Sequence, residues 1–396
     1  MLTSRYAQEH PGLAFRVARH FVEAKNATFA QIALDEAFNR ESHAAEPARV
    51  VEVCRLMRNA LERTETPLNH PSWLRLWTSE GRALVTSARL HEVERGEELL
   101  RNAFEAATKL GPGVELARVY GALGFAASLR NDHEDATLFS SEALQQKLDD
   151  TSRAEALLDA ADIHNADRHP DKAKRHASDA WPLATRPDLK LRTHLALAES
   201  ARLLSNFAEA EFEVETAQAQ LEKDPFPAFD ARVRLLYGSI CDDDNRHEEA
   251  LENFSEAWSL LKDSDTVWTL QAEELFARAL LHHGKTDEAR ALLNDLARRL
   301  HVGERGVEVH PWDADLWASA VEKDWRAFEV VLQKAFDFGP LKPALRHFRA
   351  LATTCQLLED ARETQRMRRV ARHTLEVIER CGVGESWTGL FAARLQ

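Results

Sequence analysis

The stretch Tyr120-Gly121-Ala122-Leu123-Gly124-Phe125-Ala126-Ala127-Ser128-Leu129-Arg130-Asn131-Asp132-His133-Glu134-Asp135-Ala136-Thr137-Leu138-Phe139-Ser140-Ser141-Glu142-Ala143-Leu144 decides the fold. In it Gly124 is followed by Ala136 twelve residues later and by Ala143 seven beyond that. The same spacing recurs in Ala161, Ala173, Ala180, in Ala198, Ala210, Ala217, and in Gly238, Ala250, Ala257. A fifth row has Ala277 and Ala289, with Leu296 closing it. The rows open at Gly124, Ala161, Ala198, Gly238 and Ala277, a period of about 37 to 40 residues that fits a solenoid of helix pairs. Where two antiparallel helices cross, only a residue with little or no side chain lets the backbones approach to about 8 to 10 Å. Between the first small site and the second sits a polar turn, Arg130 to Asp135 in one unit and Asp244 to Glu249 in another. Asp or Asn beside that turn can cap the second helix, and the acids in its first turn favour the positive end of its dipole. Long apolar residues between the small sites, such as Leu123, Phe139 and Leu144, are expected to bury against neighbours.

These residues resemble the tetratricopeptide repeat (TPR). Tyr120-Gly121-Ala122-Leu123-Gly124 through Asp135-Ala136 to Glu142-Ala143-Leu144 follows the family pattern, as does Leu236-Tyr237-Gly238 through Glu249-Ala250 and Phe254 to Ala257. Outward from these, Ala18, Ala30 and Ala37 keep the spacing, residues 45 to 110 hold helical patterns with a blurred register, and Ala352, Thr364 and Ala371 keep it with one substitution. Residues 301 to 340, with Gly303, Gly306, His310-Pro311 and Gly339-Pro340, read as a loop and a shorter, degenerate pair. The resemblance implies an all-α, right-handed superhelical solenoid of antiparallel helix pairs. Its expected divisions are degenerate TPR-like repeats over 1–110, a regular array of five repeats over 111–300, and degenerate repeats with a cap over 301–396, in one continuous solenoid. Repeats longer than the usual length of about 34 residues look like the TPR arrays of bacterial regulators, including the sensor regions of signal-transducing ATPases with numerous domains (STAND). The opening His10 to Phe21 is similar to where such arrays begin. No ATPase, kinase or DNA-binding part is visible, so an effector would lie in another chain or in another portion of a longer protein.

Composition agrees with this reading. Apolar residues make up 44% of the 396, enough for a continuous core, and 15 Gly with 13 Pro leave little room for linkers. A solenoid extends as one stack, so this length need not mean several domains. The formal charge of −14 disfavours nucleic acid, whose binding rests on basic side chains displacing counterions. A local cluster, Arg362, Arg366, Arg368, Arg369 and Arg372, reads as the solvated face of a capping helix or as a surface for an acidic partner. Cys54, Cys241, Cys355 and Cys381 form no CxxC pair and look like reduced residues. The start, Met1 to His10, lacks the apolar core of a signal peptide, and no apolar run approaches the roughly 18 residues that span a bilayer. A cytoplasmic protein without membrane contact is expected.

Several constellations resemble chemistry. Ala279-Leu280-Leu281-His282-His283-Gly284-Lys285-Thr286 fits a relaxed phosphate loop, but Gln271 to Leu280 read as helix where that loop needs a strand. His164, His169 and His176, and the neighbours His282 and His283, lack the spacing of a helical metal site, and no HExxH is present. The run Asp242-Asp243-Asp244-Asn245 lacks the glycine and distal Glu of a calcium loop. There is no GxSxG elbow and no local cysteine signature, so neither catalysis nor a cofactor or metal is expected.

In TPR proteins the first helices of the repeats line the concave face, and the resemblance therefore directs attention there. Six residues before the small site stand Arg118, Glu155, Arg192, Arg232 and Gln271; one after it stand Phe125, Asp162, Glu199, Ser239 and Arg278. Superposed repeats would align these as two stripes that hold an extended peptide, its carboxylates met by arginine forks. Arg118, Phe125, Asp162, Arg192, Glu199, Arg202, Arg232 and Arg278 are thus the candidate partner-binding residues. On the alternative reading Arg192, Glu199 and Arg202 neutralise one another on a solvated face. The lysine and asparagine clamp of some co-chaperone TPRs is not reproduced, since Gly121, Phe125 and Leu158 stand there. The expected function is a non-catalytic protein- or peptide-binding scaffold in a bacterial regulatory or signalling assembly. A regulator sensing a small molecule or signalling peptide in the same groove is the second reading. The tryptophans, including Trp73, Trp77, Trp312, Trp317 and Trp325, are expected in the core or, at the degenerate ends, on a dimer or partner face.

Overall fold

The computed structural model describes residues 47–63, 65–68, 70–87, 89–130, 132–223, 227–264, 266–300, 312–338, 345–381 and 388–395. Ala18, Ala30, Ala37, the opening His10 to Phe21, and Gly303, Gly306, His310, Pro311, Gly339 and Pro340 lie outside them. The described residues are mainly α-helices, most of them in antiparallel pairs. In chain order they form α1 (Pro47–Arg63), α2 (Pro71–Leu84), α3 (Leu90–Leu110), α4 (Val114–Leu129), α5 (His133–Leu144), α6 (Asp150–Ala166), α7 (Pro170–Ala180), α8 (Pro187–Leu203) and α9 (Phe207–Lys223). There follow α10 (Pro227–Asp243), α11 (His247–Leu261), α12 (Val267–His282), α13 (Thr286–Leu300), α14 (Trp312–Glu322), α15 (Trp325–Phe338), α16 (Leu345–Asp360), α17 (Thr364–Cys381) and α18 (Thr388–Ala393). One antiparallel bridge, Ser87 with Thr266, is the β-type pairing among the described residues.

The chain divides into two compact units. The first takes the described residues up to Ile240 together with Leu260–Trp268; the second takes Cys241–Ser259 and the described residues from Thr269. In the first unit α2 packs on α3, α4 on α5, α6 on α7 and α8 on α9, while α4 also touches α2 and α6, and α6 touches α8. In the second, α14 packs on α15 and α16, α16 on α17, and α17 on α18. Its core joins Leu316, Phe328, Phe348, Cys355, Leu358, Met367 and Phe391.

The small-residue rows lie where helices meet. Ala136, Ala161, Ala173, Ala180, Ala198, Ala210, Ala217, Ala257, Ala277 and Ala289 are fully buried, as is Leu296. A Cβ at Gly124 would stand 3.1 Å from Ile163 Cδ1 and 3.2 Å from the Ala136 carbonyl. Leu123, Phe139 and Leu144 are half-buried, each against an adjoining apolar cluster. Two of the pair turns show the expected cap of the second helix: Asp132 accepts from the Asp135 N–H at 3.3 Å, and Asp324 accepts from the Ala327 N–H at 3.0 Å.

From α6–α7 to α16–α17 the turns inside the pairs share one conformation. Arg168, Ser205, Asn245, Gly284, Lys323 and Arg362 all have left-handed φ, between 56° and 69°, one to each successive repeat. At each, the next N–H reaches back five residues: His169 to His164, Asn206 to Ala201, Arg246 to Cys241, Lys285 to Leu280, Asp324 to Ser319 and Glu363 to Leu358, at 2.8 to 3.0 Å. This closes the first helix of the pair and reverses the chain. Gly284 is one of these turns, between α12 and α13, so the phosphate-loop pattern there is a helix-turn-helix.

The turns also correct the C-terminal register. Counting from Arg362, the positions equivalent to Ala161, Ala173 and Ala180 are Cys355, Met367 and Thr374, all buried. Ala352, Thr364 and Ala371 are three residues out of step, and Thr364 is an exposed first residue of α17. Counting from Lys323 likewise gives Leu316 and Phe328. Large side chains occupy these crossings, which hides the repeat from a search for alanines.

The blurred register over 45–110 has a different cause. α2 and α3 cross at Gly81 and Gly96, where a Cβ on Gly96 would lie 2.9 Å from the Gly81 carbonyl and from Leu84 Cβ. Gly81 and Gly96 are fifteen residues apart instead of twelve, and Ala103 follows at the usual seven. The longer connection is used: the Val267 N–H donates to the Thr86 carbonyl at 2.9 Å beside the bridge of Ser87 with Thr266.

Two stability effects follow from this geometry. Lys323→Gly removes a left-handed strain of about 1 to 2 kcal/mol, partly offset by glycine's added freedom in the unfolded chain, so the thermal midpoint rises. Gly96→Ala forces a methyl group onto backbone and lowers stability by about 1 to 3 kcal/mol, read by chemical denaturation.

Candidate functional site

In the first unit, α6 presents Glu155, Asp159 and Asp162 at spacings of four and three, which places them along one helical stripe. Guanidinium groups from the neighbouring first helices converge on this acidic stripe. Arg82 of α2 donates both terminal nitrogens to Asp159, Nη1 to Oδ2 at 3.0 Å and Nη2 to Oδ1 at 2.7 Å. From the other side Arg192 of α8 donates Nη2 to Asp159 Oδ1 at 2.8 Å and to Asp162 Oδ2 at 3.0 Å. Asp159 can meet Arg82 because α4, between them, carries Gly121. A Cβ there would be 2.5 Å from Asp159 Oδ2.

Burial pushes the Asp159 carboxyl up, but Arg82 and Arg192 outweigh it and hold the group well below the usual carboxylate range. Arg192, 5% exposed, shows the converse: burial works against its charge, and Asp159 and Asp162 raise its pKa above the ordinary arginine value. Towards one end of the stripe, Arg186 donates to Glu155 at 3.0 Å and to Asp188 at 2.6 Å. Arg118 donates to Glu115 at 3.1 Å and lies 3.7 Å from Glu155. Arg82 stacks 4.9 Å above the half-buried Phe125 ring.

Arg232 of α10 differs from these. It is half-buried and makes no hydrogen bond or ion pair with any described residue. Its guanidinium lies 5.5 Å from the Phe229 ring centre and 5.1 Å from that of Trp268. Burial lowers its pKa; Asp162 opposes this, and Arg192 and Arg82 add to it.

The structure therefore brings together Arg118, Phe125, Asp162, Arg192 and Arg232 of the residues chosen from sequence. Arg82, Asp159 and Glu155 complete the lattice. Asp159 carried a signal, being one turn beyond Glu155 on the same stripe; Arg82 lay in the shifted repeat and carried none. Glu199 and Arg202 pair with each other on α8 at 2.7 and 2.8 Å, as the neutralising reading has it, while Arg192 pairs elsewhere. Arg278 belongs to the second unit, where it is buried and donates to Glu274 one turn away at 2.8 Å.

Of the arginine cluster near the C-terminal end, Arg362, Arg368 and Arg372 stand exposed. On α17, Arg366 and Arg369 both reach Glu329, at 2.9 and 2.5 Å, and Arg366 also lies over Trp325. Cys54, Cys241 and Cys355 are buried free thiols; burial pushes Cys54 well up and Cys355 to about 12, the opposite of an activated nucleophile. Trp73 and Trp317 are core residues, Trp77 and Trp325 are half-buried, and the Trp312 side chain lies outside the described set. His164 and His176 stack as parallel rings 5.4 Å apart, and burial pulls His164 down to about 4.

In the second unit Asp242, His247 and His282 bring ligand atoms within 4.8 Å, a grouping hidden in sequence because two separate turns supply it. The two imidazoles are cofacial, 4.2 Å apart and 12° from parallel. Their in-plane lone pairs run side by side and do not converge, so holding an ion there would require a ring to turn. Among the described residues no helix is long and apolar enough to cross a membrane.

No protein-family model matches the sequence, and no curated protein matches it. Solved structures do. A Rap protein in complex with competence and sporulation factor is 14% identical, with 94% of this chain and 99% of that chain covered and a TM-score of 0.64. Aspartyl phosphate phosphatase F from Bacillus subtilis is 13% identical over 93% of each chain, TM-score 0.52. A STAND protein with a tetratricopeptide repeat sensor from Pyrococcus horikoshii is 12% identical over 86% of this chain and 55% of that one, TM-score 0.51. The fold is that of TPR-like helical repeats.

The lattice gives a pH-dependent expectation. Asp159 is held below its ordinary value of 3.8, so its contribution to stability is complete above that range and is lost as the pH falls through and below it. Asp159→Asn leaves two guanidiniums underpaired and costs about 3 to 5 kcal/mol at neutral pH, with a shallower acid limb in denaturant titrations. Gly121→Ala displaces Asp159 and is costly in the wild type but much less so beside Asp159→Ala, a non-additivity that a double-mutant cycle measures.

Proposed function

We propose that the chain is a non-catalytic peptide- or protein-binding adaptor of a bacterial regulatory or signalling assembly, working in the cytoplasm through the first-helix face of its first unit. The observation that carries this reading is the lattice of Arg82, Asp159, Arg192 and Asp162, with Arg232 beside it. Ion pairs between different helices fix these side chains in advance of any partner, which reduces the ordering cost of binding. A face of fixed charges interleaved with the rings of Phe125 and Trp268 suits an extended peptide, whose backbone and side chains need both polar and apolar contacts. The fold likeness supports the same reading, since the Rap protein of that fold was solved with competence and sporulation factor.

A photo-crosslinking amino acid placed at Phe125 tests the face directly, with a second placed at Leu138, which is 52% exposed on α5. In native lysate the Phe125 position is expected to capture a discrete partner peptide, read by mass spectrometry, while the Leu138 position captures none. Capture from Leu138 alone would move the working surface to the second helices and overturn the assignment.

A further inference from the structure

The charges of this face do not balance locally. Arg75, Arg118 and Arg186 are matched by Glu115, Glu155 and Asp188. The neighbouring cluster sets three guanidiniums, those of Arg82, Arg192 and Arg232, against two carboxylates, Asp159 and Asp162. Arg82 and Arg192 take up both carboxylates by direct hydrogen bonds, so the uncompensated charge resides on Arg232.

Arg232 is also placed as a receiver. Its guanidinium lies over the fully buried Phe229 ring and the half-buried Trp268 ring. Contact with ring faces uses none of the guanidinium hydrogen-bond donors, and no described residue accepts from them. A carboxylate approaching in the guanidinium plane can accept two parallel hydrogen bonds, the geometry that Arg82 already makes with Asp159. We propose that Arg232, held against the Phe229 and Trp268 rings, receives one carboxylate of a bound peptide. The ligand class is a singly charged carboxylate, matching the single excess positive charge. Two sources share that chemistry, an Asp or Glu side chain and a peptide C terminus.

The electrostatics agree with the geometry. Arg192 and Arg186, which have carboxylate partners, are raised above the ordinary arginine value, whereas Arg232 is lowered by burial and by the two neighbouring arginines. An incoming anion would bring Arg232 into line with them. The inference rests on the peptide-binding reading above.

The test is selection on the full chain with two displayed random octapeptide libraries, one with its C termini blocked and one with them free, using wild type and Arg232→Gln. Circular dichroism and the thermal midpoint establish that the variant is folded, and Arg232→Lys serves as a charge-retaining control. Wild type is expected to enrich peptides with Asp or Glu at one fixed position, or free C termini if the terminal carboxylate is the source, and Arg232→Gln to lose that preference. For a selected peptide, neutralising that carboxylate should weaken binding to wild type about tenfold or more while changing binding to Arg232→Gln little, with Arg232→Lys intermediate. Peptides enriched equally by both proteins with no acidic preference would overturn the assignment to Arg232 and leave peptide binding standing. Enrichment of nothing by wild type would overturn both.

Discussion

Close approach of paired helices is the constraint on which the rest of this structure depends. From α6–α7 to α16–α17 each pair is closed by a left-handed turn residue, and through the regular array small residues stand at the crossings, as at Gly124 against Ala136 of its own pair and Ile163 of the next. Because pair follows pair through the first unit, first helices fall beside first helices, α2 by α4, α4 by α6 and α6 by α8. That adjacency turns isolated charges on α2, α6 and α8 into a lattice. Gly121 shows the dependence most directly: the missing side chain that suits helix packing is also the opening through which Asp159 reaches Arg82.

The lattice is first a structural feature. Buried ion pairs of this kind contribute little net stability compared with apolar packing, but removing one partner is expensive because the other is left charged and dry. Their effect on function is pre-organisation. Arg82 and Arg192 are spoken for by Asp159 and Asp162, so they shape the field without being free to bind, and Arg232 is left facing that field with no anion of its own. Charged residues on one face thus divide into those that hold the face and one that is available to a partner.

Much of the repeat was legible because small residues at fixed spacing have a single dominant physical explanation. Where the spacing shifted or the residues grew, the legibility ended. Gly81 and Gly96 make a tight crossing but stand three residues too far apart, since their connection also supplies the Thr86 and Ser87 contacts to Thr266 and Val267. At the other end Leu316, Phe328, Cys355 and Met367 fill the crossings with large side chains, and the sequence register settled on Ala352, Thr364 and Ala371 instead. Five of the six left-handed turn residues are not glycine, so their regularity is invisible without coordinates. The binding stripe was legible as register, because position in the repeat locates a face. Its pairing was not: Arg192 reaches across to α6 while Arg202 stays on its own helix, a difference set by three-dimensional distance.

The central claim is that a partner occupies the first-helix face of the first unit. Hydrogen exchange of the full chain with and without a crosslink-identified or library-selected peptide tests it most directly. The account predicts added protection over Asp150–Ala166, Pro187–Leu203 and 227–240, with little change over His133–Leu144 and Phe207–Lys223. Protection confined to those second helices, or to the described residues from Thr269 onward, would contradict it.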